Sequence, residues 1–206
     1  MRGGPRLVVA TTNPNKLREI RGILNGTGVG VDGLDAFPAV AEPEETGATF
    51  AENARQKAIY YSGVLGVTVV AEDSGLEIDG LGGEPGVQSA RYGGAAAESY
   101  PQKFALVYAG LRARGAMGSP ARFVCALAVA SGPAVLYEAR GTIEGRVSDA
   151  PAGNGGFGYD PIFFFPPFGR TLAELEEREK ASVSHRGRAF RQLRDHLAAN
   201  PPWFQG

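Results

Sequence analysis

Val67-Thr68-Val69-Val70-Ala71-Glu72-Asp73-Ser74-Gly75 is the stretch on which the fold turns, an apolar and β-branched run that drives straight into two adjacent carboxylates. Gly66 precedes it and Ser74-Gly75 closes it, so it is too short for a free-standing helix. Its composition is that of a buried strand with acids at its end. In an open α/β sheet, ligands bind at the carboxyl ends of the strands, so acids there lie where chemistry is usually done. The competing reading makes Glu72 and Asp73 ordinary solvated loop acids. Neighbouring side chains on an extended segment point to opposite sides, so one of the two is expected to face a cleft; the spacing does not say which.

Upstream, Arg6-Leu-Val-Val-Ala10 reads as a first strand, and Thr11-Thr12-Asn13-Pro14-Asn15-Lys16 follows directly. Asn13 is a good N-cap and Pro14 a good first helical residue, after which Leu17, Ile20, Ile23 and Leu24 recur at helical spacing. A strand, a tight turn and a helix start together present backbone N–H groups and the positive end of a helix, a ready anion site. The plainer alternative is a well-capped helix. Lys16 favours the anion, because a cation in the first turn opposes the helix dipole unless a negative charge shares the site. Residues 25 to 48 read as a loop with one short strand near 29 to 34, ending in the acidic Glu42-Pro43-Glu44-Glu45. Thr49 and Glu52 form a capping box, and Phe50, Ala54, Ala58, Tyr61 and Leu65 line one side of the helix that leads into the central strand.

Downstream, Leu81 to Gly86 is turn chemistry, and a helix over roughly Pro101 to Arg114 has Phe104, Val107, Tyr108 and Leu111 on its apolar side. Arg122 to Ala130 and Val135 to Gly145 form a hairpin joined at Ser131-Gly132-Pro133, so βαβ crossovers precede an antiparallel pair and the sheet is mixed. The glycine-rich Gly153 to Pro161 carries Phe157 and Tyr159. It reads either as a surface loop with two hydrophobic plugs or as a clamp that stacks on a purine. Thr171 and Glu174 cap a short helix, and Ser184 caps the last one, whose apolar side is Phe190, Leu193 and Leu197. His185 and Arg186 then fall in a first helical turn, the same oddity as Lys16. Two helix starts that carry cations suit a polyanionic small molecule.

Composition bounds the rest. With 206 residues, 43% of them hydrophobic, the chain can bury a full core as one domain over 1–206, or as one sheet with two small lobes. A formal net charge of −1 argues against a broad grip on nucleic acid or an anionic membrane. Cys125, the single cysteine, sits in an apolar run and reads as a core thiol. No apolar span approaches the roughly 20 residues a membrane helix needs, so a soluble, cytoplasmic protein is expected. Only four of the 21 basic residues are lysines (16, 57, 103 and 180), so each lysine needs a reason. Carboxylates beside a phosphate site, with no Cys/His pairing, imply Mg²⁺.

Thr11 to Lys16, Glu44-Glu45-Thr46-Gly47, Phe50 to Ala54, Glu72 to Leu76, Leu81-Gly82-Gly83, Ser89 to Tyr92, Gly155 to Pro161, Glu179-Lys180 and Ser184-His185-Arg186 occur in an order that resembles the inosine triphosphate pyrophosphatase family. The likeness runs over about residues 7 to 197. It implies an α/β protein with a long mixed β-sheet flanked by helices, two lobes with an active cleft between them, and a homodimer. It also implies Mg²⁺-dependent hydrolysis of ITP, dITP and XTP to the monophosphate and pyrophosphate. Carried over by position, Thr11, Thr12, Asn13, Pro14, Asn15 and Lys16 would hold the phosphates, and Glu44 and Asp73 the metal. Asp73 would also be the proton acceptor, with Glu72 as the alternative because a metal-bound carboxylate is a poor base. Ser74 would touch the substrate. Phe157, Gly158, Tyr159, Asp160, Lys180, His185 and Arg186 would surround base and sugar, with Phe157 or Tyr159 stacking and Lys180, His185 and Arg186 donating to the 6-oxo group. Thr12 stands where glycine is frequent, and Glu72 where aspartate is also found. The rival readings are a non-catalytic nucleotide sensor, a pyrophosphatase for modified pyrimidine nucleotides, and a phosphatase releasing orthophosphate.

Overall fold

The computed structural model describes residues 4–200. Its strands are β1 (Arg6–Val9), β2 (Gly30–Gly33), β3 (Val69–Ile78), β4 (Pro120–Ser131), β5 (Ala134–Val147), β6 (Phe163–Phe165) and β7 (Arg170–Thr171). Its α-helices are α1 (Pro14–Leu24), α2 (Phe50–Leu65), α3 (Tyr100–Ala113), α4 (Glu177–Val183) and α5 (His185–Ala199). The seven strands form one sheet in the order β2-β1-β3-β4-β5-β6-β7. β1 runs parallel to β2 and β3, while β6 is antiparallel to β5 and β7, so the sheet is mixed as the sequence predicts.

The central strand departs from expectation in one respect. It does not end at the acids but carries through them to Ile78, and Glu72 and Asp73 are only 4% and 8% exposed. They are therefore not solvated loop acids. Burying two adjacent carboxylates is affordable only where each has a partner, and both do, as described below.

The chain divides into two compact units, the first comprising Met1–Asp73, Cys125–Gly141 and His185–Gly206, the second Ser74–Val124 and Thr142–Ser184. The single domain expected over 1–206 includes residues 1–3 and 201–206, which lie outside the described residues. In the first unit, α1 and α5 pack on one another. Ile20 and Leu24 of α1 and Phe190, Leu193 and Leu197 of α5 close over Leu7, Val9, Val70, Cys125 and Leu127. A second cluster, Val8, Val69 and Tyr61 with Leu65, lies under α2. Alternation along β1 and β3 thus sends odd and even positions to different helices, the pattern of a strand buried on both faces. In the second unit, Phe104, Val107, Tyr108 and Leu111 of α3 join Leu76, Ile78, Phe163 and Leu172 in one core.

The local signals read from sequence recur as hydrogen bonds. Asn13 Oδ1 accepts from the N–H groups of Asn15 and Lys16. Thr49 Oγ1 accepts from Glu52 N, although Glu52 reaches back to Ala48 N rather than to the cap residue itself. The Thr171–Glu174 box closes a single 3₁₀ turn. α4 is an addition that the sequence reading did not contain; its cap is Glu176, paired in a box with Glu179, a residue type outside the usual N-cap set. Among the described residues no helix is long and apolar enough to cross a membrane.

Candidate functional site

Glu72 sits at even parity on β3, with Val70, on the side that α1 and α5 cover. Lys16 Nζ lies 2.6 Å from Glu72 Oε1, and Arg186 Nη2 lies 3.4 Å from the same oxygen. Arg186 also reaches Glu19 at 3.0 Å and is itself 2% exposed. The Cys125 thiol donates to Glu72 Oε2 at 3.5 Å. Burial alone would raise the Glu72 pKa, but Arg186 and then Lys16 outweigh it and hold the carboxyl well below its ordinary range. Burial likewise pushes the Cys125 thiol well up, which keeps it protonated as the expected core thiol.

These contacts revise the argument from helix starts. Lys16 and Arg186 do begin α1 and α5 as cations, but the negative charge that they require is Glu72. The α1 turn also spends its own donors. Asn13 N is bonded to Thr11 Oγ1, Asn15 N and Lys16 N to Asn13 Oδ1, and Leu17 N to Asn13 O, while Pro14 has no N–H. The Thr12 hydroxyl donates to Glu42 at 3.1 Å. An external polyanion therefore does not follow from the two cations alone. Beside this turn, a cavity of about 490 Å³ is lined by Thr11, Thr12, Asn13 and Pro14 and by an apolar wall of Leu34, Phe37, Pro38 and Val40. Its volume is that of a small-molecule site.

Asp73 takes the opposite side of β3, against α2. Asn53 Nδ2 donates to Asp73 Oδ2 at 3.0 Å, and Lys57 Nζ lies 3.5 Å from Asp73 Oδ1 and 2.8 Å from Glu45 Oε1. Burial raises the Asp73 pKa more than Lys57 and Asn53 lower it, so this carboxyl titrates above its ordinary value. Of the two adjacent glutamates, Glu45 is the one brought to Asp73 through Lys57; Glu44, the expected partner, is exposed. The donors fit Mg²⁺, since they are hard oxygens and one cation already bridges them. Among the described residues no group of three or more His, Cys, Asp and Glu could hold a metal. The protein would thus supply two carboxylates and leave the other positions to water and ligand oxygens, which is how Mg²⁺ is usually held.

The second unit holds the glycine-aromatic loop. Asp160 Oδ2 accepts from Phe157 N at 2.7 Å and from Lys180 Nζ, and that ammonium lies 4.5 Å from the centroid of the Phe157 ring. Gly156 has φ +70°, and a Cβ there would meet the Asp160 carboxylate, so the turn requires glycine. Phe157 is half-buried, whereas Tyr159 is 3% exposed, stacks edge-on to Tyr100 and donates to Ser89 O at 2.9 Å. The expectation that Tyr159 could stack on a base is therefore corrected: its ring is part of the core, and Phe157 is the ring that remains. Lys180 belongs to the second unit and His185 and Arg186 to the first.

The sequence sets Glu45 with Glu44, Glu72 and Asp73 among the candidate carboxylates without giving it a role, and it does not point to Asn53, Lys57 or Glu19 as members of these clusters. For Lys57 a signal was present. All four lysines have specific partners: Lys16 with Glu72, Lys57 with Glu45 and Asp73, Lys180 with Asp160, and buried Lys103 with Ala90 O.

The chain is similar to known proteins over nearly its whole length. A dITP/XTP pyrophosphatase of Thermus thermophilus is 46% identical over 203 residues, covering 97% of this chain and 95% of that protein. One from Exiguobacterium sp. is 45% identical over 188 residues, covering 91% and 94%. The solved structure of a HAM1 protein from Coxiella burnetii superposes with a TM-score of 0.89 at 37% identity, over 95% of this chain and 100% of that one. The Ham1 family model matches residues 7–196, which span both carboxylate clusters and the glycine-aromatic loop. With the order of motifs, the mixed sheet and the relatives in agreement, the chain belongs to the Ham1 family.

Proposed function

We propose that this chain is a Mg²⁺-dependent hydrolase that cuts non-canonical purine nucleoside triphosphates, ITP, dITP and XTP, between the α- and β-phosphates, giving the monophosphate and pyrophosphate. The relatives named above carry dITP/XTP pyrophosphatase as their name, and they cover nearly the whole chain. The single observation that carries the chemistry is Asp73. It is a buried carboxylate whose pKa is raised, held by Asn53 and linked through Lys57 to a second carboxylate.

In this reading Asp73 with Glu45 holds the metal, in place of the Glu44 that the resemblance suggests. When bound, Mg²⁺ neutralises phosphate charge and polarises the phosphorus under attack. Glu72 is a poor candidate for proton acceptor, because Arg186 and Lys16 hold it ionised and occupied. Asp73 takes the proton in an outer-shell arrangement, with a water between its carboxylate and the ion, and Asn53 fixes the orientation of that carboxylate. Glu72 keeps Lys16 at the start of α1, where Lys16 and residues 11 to 15 serve the phosphates. Ser74 follows Asp73 on β3 and serves the substrate. Phe157, Gly158 and Asp160, with Lys180 held by Asp160, serve the base and sugar, and His185 serves the same end. A homodimer working in the cytoplasm is proposed on the resemblance alone.

The deciding experiment incubates the protein with ITP, XTP, ATP and TTP in Mg²⁺ and assays pyrophosphate separately from orthophosphate. Pyrophosphate from ITP and XTP, with little from ATP or TTP, is expected. Inosine diphosphate and orthophosphate would overturn the assigned cut, and intact nucleotide would make the protein a sensor.

A further inference from the structure

We propose that Lys57 is an internal counter-cation of the Glu45–Asp73 pair, which holds the two carboxylates together in the metal-free protein and competes with a divalent cation for them. This rests on the reading of Asp73 and Glu45 as the metal's carboxylates. Lys57 Nζ stands 2.8 Å from Glu45 Oε1 and 3.5 Å from Asp73 Oδ1, so one ammonium occupies the position between the two acids. The three side chains are only 15%, 21% and 12% exposed, so water screens the pair poorly and the cation is needed when no metal is present.

The residue type suits exchange. This chain writes nearly all its positive charge as arginine, yet here it uses lysine. A guanidinium fork would lock carboxylates in a planar, bidentate grip, whereas an ammonium is a point charge on a flexible four-carbon stem that can withdraw. Asp73 is also prepared for a change of cation, because Asn53 holds Oδ2 while Lys57 faces Oδ1. When the cation at Oδ1 changes, the carboxylate keeps its orientation through Oδ2. The consequence is that the bare protein binds metal weakly, since a divalent ion must first displace Lys57. Affinity rises when a polyphosphate brings its own oxygens to the ion, so metal and nucleotide arrive together.

The test is calorimetric titration of the full-length protein with Mg²⁺ or Mn²⁺ alone, without nucleotide. Lys57→Met should bind the metal at least about tenfold tighter than the wild type, because a competing charge at contact distance is gone. Lys57→Arg should bind no tighter. In metal-free buffer Lys57→Met should melt lower than the wild type and recover more on adding Mg²⁺. Unchanged or weaker metal binding by a Lys57→Met protein that is folded by circular dichroism overturns the proposal. If that variant does not fold, the wild type carries the test: with four lysines in the chain, the side-chain ¹⁵N resonance of Lys57 should be the one that moves during a Mg²⁺ titration. No movement at saturation would reject the proposal. Glu45→Gln and Asp73→Asn in the same titration separate the two layers. If neither weakens metal binding, the carboxylate assignment is wrong. If both weaken it and Lys57→Met does not tighten it, the counter-cation alone fails.

Discussion

Glu72 and Asp73 are neighbours on one strand, yet their two sides of the sheet are opposites. On the Glu72 side, two carboxylates, Glu72 and Glu19, meet two cations, Lys16 and Arg186. On the Asp73 side, two carboxylates, Asp73 and Glu45, share the cation Lys57. Among these groups the first side is balanced and the second retains a surplus negative charge. Burial raises both carboxyls; at Glu72 Arg186 and Lys16 overturn it and hold the group well down, whereas at Asp73 Lys57 and Asn53 do not and the group stays raised. A strand's period of two is enough to place two differently charged centres a single residue apart. The balanced side should govern stability and the unbalanced side chemistry.

The largest expected effect is Asp73→Asn. The change keeps the shape and removes the charge, so pyrophosphate release from ITP should fall by about 10³-fold or more. Melting should be unchanged or slightly raised, since a carboxyl whose pKa is raised on folding is one that burial disfavours as an anion. Near-normal turnover in a folded protein would remove Asp73 from the centre of the mechanism.

Glu72→Gln should do the reverse. It leaves Arg186 buried with one carboxylate fewer, and breaking such a centre costs about 3–5 kcal/mol, measurable by urea unfolding. The pH dependence has a definite sign. Because the folded Glu72 pKa lies below its ordinary value of 4.5, its contribution is fully present above that value and is lost as pH falls through the depressed one. For Asp73 the folded pKa lies above the ordinary 3.8, so its contribution is present below that value and lost as pH rises through the raised one. Glu72→Gln should therefore flatten the acid side of the wild-type stability curve, and Asp73→Asn should not. Equal acid sensitivity of the wild type and Glu72→Gln would deny Glu72 its ionised role.

Arg186→Lys probes the same side by kinetics. In the structure Arg186 grips Glu72 and Glu19, so its loss should reach the substrate through Glu72 and Lys16, at the phosphates. All triphosphates share those phosphates, so kcat/KM for ITP and ATP should drop by a common factor of about ten or more. A drop confined to ITP would restore the base-reading role that its position beside His185 suggests.

Why that role was read into the sequence shows what a sequence carries. Local features were legible: Asn13 as a cap, the apolar spacing of Phe190, Leu193 and Leu197, the hairpin at Gly132 and the buried run at Val69 all depend on neighbours within a turn or two. The partners of the acids were not legible, because they come from 20 residues away for Asn53 and Asp73, 114 for Arg186 and Glu72, and 167 for Arg186 and Glu19. Charge at a helix start correctly demanded an anion, but nothing local could say that the protein supplies it itself. Tyr159 failed for a related reason. A glycine-rich loop has no periodicity to tell a buried ring from a presented one.

The smallest expected effect is that of Cys125→Ala. The thiol touches Glu72 Oε2 at 3.5 Å, and burial keeps it protonated, so it is a weak donor at the edge of an ion centre that retains Lys16 and Arg186. Removing it takes away one sulfur and one weak hydrogen bond from a closed core, worth about 1 kcal/mol. Urea unfolding should register that loss, while kcat/KM and its pH profile stay those of the wild type, because β3 separates Cys125 from Asp73. Glu72 already raises the Asp73 pKa through space, but the neutral thiol adds no charge to that influence. A shift of the acid limb of the pH–rate profile in Cys125→Ala would mean that the thiol moves the Glu72 carboxylate and, with it, the titration of Asp73.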